Sequence, residues 1–493
     1  MKKTFLAFAI SIICCSVQAQ EIRHLTLEKS IEIAKNQSYD MLRLEQDLKI
    51  SEFNLKSATS RLKTHIDLDL TVPQFSEEIR SREDTSGVSY YSVKQANYSG
   101  GLTISQPLPT DGQIFINNRL SNLKEFDANR RSSNVRTRIG LEQPLDAFYG
   151  YNNIRSSLKR AKLNYEQTTK SLKRTDLNLI YQVSNSYYRL LSGQKSTEIA
   201  KTTLERQKDV YEISQKKYAS GIIPEVEALQ MEVDLASAQN SYEMALLNQS
   251  SAINSFKELI GISLKDSITL DSNLSDYKIL TVDGEKAVEH ALKNRLEIRE
   301  QEIQLELQKL NVKQQKSNRM VKANVSAYFE KAGVDQGIGT EFTKSVNNAY
   351  SDFLDRPSNF GVGLTIRVPI LDWGENKALV RAAEAQVKKI EYNKEELERQ
   401  IEIEVRNLVA QINSNLKRLQ ILEKSVLIAE KSFAITLDRY TEGDINSETL
   451  ALERNRLNSA YQDHLNAYTN YQLSLSDLMR KTFYDFENDR PIE

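Results

Sequence analysis

Residues 183 to 260 of this chain recur, without a gap, 222 positions later. Val183, Leu190, Thr197, Leu204, Tyr211 and Tyr218 stand seven apart, and so do Val405, Ile412, Leu419, Val426, Phe433 and Tyr440. Sustained heptads specify helices that lie along one another and supercoil gently. Each series ends in a tyrosine three residues before a glycine, Tyr218 before Gly221 and Tyr440 before Gly443. A heptad helix that stops twice at the same glycine marks a duplicated helical hairpin, so the chain reads as two copies of one unit.

Each long helix covers roughly 70 residues with no proline and almost no glycine, which at 1.5 Å per residue is about 100 Å. A helix this thin cannot bury itself. A mean hydropathy of -0.52 and 40% hydrophobic residues are low for a large globular core and suit burial along narrow seams. Small residues on the first seam (Ser186, Gly193, Ala200, Ser214) let neighbours approach closely, while Leu408, Asn415, Leu422 and Thr436 hold the matching places in the second. The two seams are therefore not equivalent, and the expected assembly is a multi-chain α-barrel or coiled coil. With 66 basic against 67 acidic residues, no basic field exists to hold nucleic acid.

Lys2 and Lys3 precede an apolar run, Phe5 to Ile13, and then Val17, Gln18 and Ala19. This is the pattern of a Sec signal peptide cleaved after Ala19. The run is shorter than the roughly 20 residues of a spanning helix, which argues against an uncleaved anchor. Both cysteines, Cys14 and Cys15, fall inside it, so the mature chain is expected to have no disulfide or thiol chemistry. Ile13 is too large for a lipoprotein cleavage site. No later segment reaches 18 consecutive apolar residues, so strands must do any membrane crossing.

Strand signals stand before each long helix. Ile66, Leu68, Leu70 and Val72 alternate with His65, Asp67, Asp69 and Thr71. The second copy repeats this with Ala323, Val325, Ala327 and Phe329, and returns through Phe360, Val362, Leu364, Ile366, Val368 and Ile370. The first copy returns through Arg138 to Leu145. A soluble sheet with one wet face alternates in the same way. A run length of about 9 to 11 residues suits tilted spans, and nearby aromatics (Tyr90, Tyr91, Phe148, Tyr149, Trp373) suit a membrane girdle. These features favour a membrane barrel.

The N-terminal parts of the copies match at an offset of 257 rather than 222, so the first copy holds 35 more residues. They contain another strand-like pair, Gly100 to Leu108 and Gln113 to Leu120, around Pro107, Pro109 and Gly112. The pair reads as an extracellular hairpin or as two further spans, with the hairpin preferred. The expected layout begins with a signal peptide at 1–19. The first repeat, 20–261, has strands near 65–74 and 136–145, the extra pair near 99–121, a long helix at 147–218 and a turn at 218–224. A linker follows at 262–284. The second repeat, 285–480, has strands near 321–330 and 359–371, a long helix at 374–440 and a turn at 440–446. The tail, 481–493, reads as frayed.

A signal peptide, a duplicated helix–strand–strand–long helix–turn–helix unit and a Tyr-x-x-Gly turn in each copy together resemble the TolC-like outer-membrane efflux proteins. The junction from Pro369 through Asp372 to Gly374 is similar to that family's strand-to-helix motif, with Gln143 to Asp146 as a weaker partner. The likeness spans about residues 24 to 480. It implies a mostly α fold with membrane β: a homotrimeric outer-membrane β-barrel, twelve-stranded if each chain gives four strands and eighteen-stranded if six, continued by a periplasmic α-helical barrel.

The resemblance further implies that the turns at Tyr218–Gly221 and Tyr440–Gly443 receive a periplasmic adaptor protein, which links the channel to an inner-membrane transporter. Ile66, Leu68, Leu70, Val72, Val362, Leu364, Ile366 and Val368 are expected to face outer-membrane lipid. The family's acidic constriction falls on Thr449 and Leu452 here, with Glu448 and Glu453 one residue to either side. Tyr440 matches a latch tyrosine, and Glu227 stands where its acidic partner belongs. The plainer reading of both glycines is as left-handed helix ends.

No Gly-rich nucleotide loop, Walker motif or nucleophile elbow occurs, and His24, His65, His290 and His464 lack metal-ligand spacing. No cofactor, metal or catalysis is expected. The main rival reading is a periplasmic coiled-coil protein with no pore.

Overall fold

The computed structural model describes residues 23–85, 87–270 and 277–492. The expected signal peptide and part of the linker lie outside these residues. The first copy contains β1 (Arg23–Leu25), α1 (Leu27–Gln37), α2 (Tyr39–Ser60), β2 (His65–Asp84), β3 (Gly87–Pro107), β4 (Gln113–Glu125), β5 (Arg130–Pro144), α3 (Asp146–Tyr149), α4 (Asn153–Ala219) and α5 (Glu225–Ile260). Next come β6 (Ile268–Leu270), α6 (Gly284–Asn294), α7 (Leu296–Ser317), β7 (Lys322–Ile338), α8 (Phe342–Asp355), β8 (Asn359–Arg367), α9 (Glu375–Glu442), α10 (Ser447–Thr482), β9 (Tyr484–Asp485) and β10 (Arg490–Pro491).

The duplication is visible in helix lengths. α1 and α6 each have 11 residues, α2 and α7 each have 22, α5 and α10 each have 36, and α4 and α9 have 67 and 68. The starts are capped alike: Thr26 Oγ1 accepts from Lys29 N before α1, and the Asp283 carboxylate accepts from Glu285 N before α6. Such caps satisfy amides that the first turn leaves without partners.

The chain divides into two compact units. One comprises residues up to Gln46, Ser171–Ile298 and Leu397 onward; the other comprises Asp47–Lys170 and Arg299–Glu396. In the first unit, the heptad residues Val183, Leu190, Val405, Ile412 and Leu419 are buried. Val183 and Leu190 pack with Phe256 and Ile260, while Val405, Ile412 and Leu419 pack with Ala287, Ala291 and Tyr471. β1 and β6 form a short parallel pair, so the segment read as a linker contributes a strand. The tail is folded rather than frayed. β9 and β10 pair, the His290 ring stacks on Tyr484 at 4.0 Å, and Lys286 bonds Asp489.

The second unit holds an antiparallel sheet of six strands, ordered β2-β3-β4-β5-β7-β8. The strand pair read as an extracellular hairpin or as two further spans is built into this sheet: β3 pairs along β2, and β4 lies between β3 and β5. Strands also run longer than expected, with 20 residues in β2, 21 in β3 and 17 in β7. β8 is shorter, so Val368 lies just beyond its end at Arg367. The first long helix begins at Asn153 rather than 147, after the separate turn α3 and Gly150.

The β3–β4 turn sits at the end of the sheet where α4 begins. There Asp111, at φ 68°, accepts from Asn153 N (3.0 Å), Asn153 Nδ2 (2.7 Å) and Ile154 N (3.0 Å). In the second copy Asp372 does this work for α9, accepting from Gly374 N (3.0 Å) and from Asn376 N (3.3 Å) and Nδ2 (2.9 Å). Removing such a cap costs about 0.5–2 kcal/mol. Asp111→Ala is therefore expected to lower the thermal midpoint measurably, while Glu83→Ala, at the exposed opposite end of the sheet, leaves it unchanged. Equal midpoints for the two variants would show that the inserted turn does not hold α4.

Candidate functional sites: the sheet faces and the hairpin turns

Both hairpin turns close in the same way. Gly221 (φ 71°) and Gly443 (φ 93°) adopt the left-handed region. Ile222 N donates to Lys217 O (2.9 Å) and Gly221 N to Tyr218 O (2.9 Å); Asp444 N donates to Arg439 O (3.0 Å) and Gly443 N to Tyr440 O (3.2 Å). This is the Schellman pattern, in which a left-handed residue lets two amides reach back to the last helical carbonyls. A Cβ on either glycine would meet nothing within 4 Å, so the requirement is one of backbone conformation alone.

The two tyrosines differ. Tyr218 is 42% exposed and Tyr440 is 1% exposed. Tyr440 packs with Val210, Met231, Phe433 and Leu450. Lys217, which sequence reasoning did not single out, bonds the Tyr440 carbonyl and lies 4.3 Å from the centre of its ring. Among the described residues the Tyr440 hydroxyl has no hydrogen-bond partner. Burial raises its pKa, and the Glu227 carboxylate adds to that. Glu227 is thus electrostatically coupled to Tyr440 without the hydrogen bond that a latch within one chain requires.

Of the two aperture candidates, Glu448 is exposed in the first turn of α10. Glu453 is tied to Arg456 and accepts from Ser432 Oγ (2.9 Å). Nearby, Arg454 bonds Gln207 and pairs with Asp234 at 3.0 Å, joining α10 to α4 and α5. This pair was not anticipated, because its members lie 220 residues apart.

In the sheet, Ile66, Leu68, Leu70, Val72, Val362, Leu364 and Ile366 are all more than half exposed, as is Val368 just beyond β8. The pairing places Val325 opposite Leu364, Ala327 opposite Val362 and Phe329 opposite Phe360 on one face; Ser326 opposite Gly363 and Asn324 opposite Thr365 lie on the other. Trp373, 92% exposed, and the exposed Phe148 and Tyr149 follow the strands. No helix among the described residues is long and apolar enough to cross a membrane.

The model of the outer membrane efflux protein family matches residues 117–262 and 287–482. This chain belongs to that family. As an outer membrane efflux protein it has relatives in secretion and in channel formation. The alkaline protease secretion protein AprF of Pseudomonas aeruginosa is 20% identical over 353 residues, covering 70% of each chain. The fold is shared with the CmeC outer membrane channel of Campylobacter jejuni, at TM-score 0.68 and 16% identity, covering 95% of this chain and 86% of that one. It is likewise shared with CusC, at TM-score 0.68 and 14% identity, covering 94% and 92%. These solved relatives are channels, and the duplicated, mostly helical fold with strands is common to them and to this efflux protein.

The unpartnered Tyr440 hydroxyl generates a prediction. A buried polar group left without a partner costs about 1–3 kcal/mol. Tyr440→Phe is therefore expected to hold or raise the thermal midpoint of the purified protein, whereas Lys217→Met, which removes the bond to the Tyr440 carbonyl, lowers it. A marked loss of stability in Tyr440→Phe would mean that a group outside the protomer holds the hydroxyl.

Proposed function

We propose that this chain is the outer-membrane channel of a tripartite efflux pump or type I secretion system. It works as a homotrimer, is exported by a cleaved signal peptide, and conducts substrates passively from an adaptor-coupled inner-membrane transporter to the outside. The observation that carries this reading is a sheet that a single protomer leaves unfinished. β2 and β8 each have one neighbour among the described residues, and both expose apolar rows. Open edges and a bare apolar face are liabilities for a soluble protein. Pairing β8 of one copy with β2 of the next removes both edges and turns the apolar rows to lipid.

The helices support the same assembly. Ile421, Ile428 and Ile435, seven apart on α9, are exposed, as are Ile222, Val226, Leu229 and Val233 in the turn and along α5. Heptad-spaced apolar rows left bare by one chain are seams for another. The resemblance between the turns and the family's adaptor-docking ends supports docking at Tyr218–Gly221 and Tyr440–Gly443. Nothing in this reading requires chemistry by the channel itself.

Two tests follow. Outer-membrane fractions run unboiled are expected to show a band near three times the monomer mass and to resist carbonate extraction; a chain that washes out as a monomer fits the pore-free coiled-coil reading instead. Leu364→Arg is expected to cost about 2–4 kcal/mol near the membrane midplane and to deplete the trimer, while Thr365→Arg on the opposite face is tolerated. Equal damage would place the register or the barrel in error.

At the turns, Gly443→Val is expected to abolish efflux with normal trimer levels, because a β-branched residue is strained at positive φ. Full transport with normal trimer would remove the turn from adaptor docking. Glu227→Lys is expected to raise single-channel conductance if Glu227 helps close neighbouring hairpins against Tyr440; unchanged conductance would remove Glu227 from the closing machinery.

A further inference from the structure

Strands β3 and β4 supply the residues that the second copy lacks, and β2 and β3 precede the part of the chain that the family model matches. Their register decides what they do. Along β3, Leu70 stands opposite Gly100, Leu68 opposite Leu102 and Ile66 opposite Ile104. From β3 to β4, Gly100 faces Leu120, Leu102 faces Asn118 and Ile104 faces Ile116. From β4 to β5, Leu120 faces Val135, Asn118 faces Thr137, Ile116 faces Ile139 and Ile114 faces Leu141. The row then continues through Phe329 and Ala327 of β7 to β8. One face is thus largely apolar across all six strands, broken at Gln106, Asn118, Thr137 and Lys331, and α8 lies over it at Gly333 of β7.

The opposite face is polar across the same six strands. It carries Asp67, Asp69 and Thr71, then Ser99, Thr103 and Ser105, then Asn117, Arg119 and Ser121, and continues through Arg136 and Arg138 to Glu330. A pair of strands lying in water would have no reason to keep this division in step with its neighbours. The inserted strands are also fitted to the sheet on the polar face. The Phe115 ring covers Gly140 of β5, where a Cβ would stand 2.3 Å from it, just as Tyr328 covers Gly361 in the second copy.

The turns give the direction. β2 ends at Asp84 where β3 begins at Gly87, and β4 and β5 meet at 126–129, both at one end of the sheet. The β3–β4 turn lies at the other end, where Asp111 caps α4 and Thr110 Oγ1 donates to Gln143 (2.6 Å). Between these ends the outward row of β5, Val135 to Leu141, spans about 20 Å of strand, most of the apolar band of roughly 25 Å of membrane barrels.

We infer that β3 and β4 both cross the outer membrane, so that each protomer contributes six spanning strands and the trimer closes a barrel of eighteen. This rests on the channel reading above. Barrel diameter grows roughly linearly with strand number, so eighteen strands give about one and a half times the width of twelve, in the range that leaves an aqueous lumen. The barrel is then not the size filter, and its polar, mixed-charge wall suits bulky hydrophilic cargo; any constriction falls to the helical hairpins.

The mature chain is expected to have no cysteine, so single cysteines report topology directly. In intact cells a polymer-linked maleimide too large for the pore is expected to label Thr85→Cys and Ala128→Cys, and to label Pro109→Cys only once the outer membrane is opened. In parallel, Leu102→Arg is expected to reduce the heat-dissociable trimer several-fold, as Leu364→Arg does, with Thr103→Arg tolerated like Thr365→Arg. Labelling of Pro109→Cys from outside, or a harmless Leu102→Arg beside a damaging Leu364→Arg, overturns the six-strand inference and leaves the channel standing. Failure to label Thr85→Cys from outside, or a harmless Leu364→Arg, overturns the channel reading, and the six-strand barrel with it.

Discussion

Every part of this chain is organised by apolar surface that one copy cannot cover. The long helices are one side chain thick, so each can bury only the stripe that faces its neighbours. Inside the first unit, Val183, Leu190, Val405, Ile412 and Leu419 find partners on α5, α6 and α10. Ile421, Ile428 and Ile435 on the same α9 do not. In the sheet, apolar side chains on one face of both edge strands are left exposed by the described residues. Burial contributes about 25 cal/mol per Å² of apolar surface, and this gain is available only when copies associate and the sheet enters lipid. Stability is then a property of the assembly and the membrane rather than of a protomer in water.

Much of this was legible because the repeat is long and its periods are unambiguous. Heptads are a helix signal whatever the tertiary context, and a glycine at the same place in two copies marks a left-handed helix end. The run from Ile66 to Val72 and that from Phe360 to Ile366 alternate strictly because the two edge strands carry their apolar face without interruption. The inserted pair was harder to place. Gly100 and Gly101 dilute the pattern in β3, and Asn118 breaks it in β4. What shows these strands to be part of the sheet is pairing with residues on both sides, which local alternation does not report. The tail failed for a related reason: its polar residues suggest fraying, yet Tyr484 finds His290 almost two hundred positions earlier.

The turns were legible as backbone and less so as chemistry. The positive φ at Gly221 and Gly443 follows from residue type and position. Which side chain meets Tyr440 does not, since Lys217 and Glu227 lie on opposite sides of the same turn and both come within electrostatic reach. Lys217 takes the carbonyl because an ammonium on a flexible stem can bond the helix end while its charge lies over the ring. Glu453 illustrates the converse. It sits beside a position that suggests an acidic ring, but Arg456 one turn along and Ser432 on α9 already satisfy it, so it is not free to serve as an uncompensated charge.

The insertion also obeys a topological constraint that explains why it comes as two strands and why it ends in a cap. In an antiparallel sheet each added strand reverses the direction of the chain. A single extra strand between β2 and β5 would deliver the chain to the wrong end of the sheet and leave α4 with no route to the other helices. Two strands restore the direction, at the cost of one new turn at the end where α4 starts. That turn brings Asp111 to the start of α4, which it caps as Asp372 caps α9 in the second copy. A repeat of this kind can therefore widen its sheet only in steps of two strands per chain. In a threefold assembly the barrel grows by six strands at once, while the helical hairpins, fed from unchanged positions, keep their lengths.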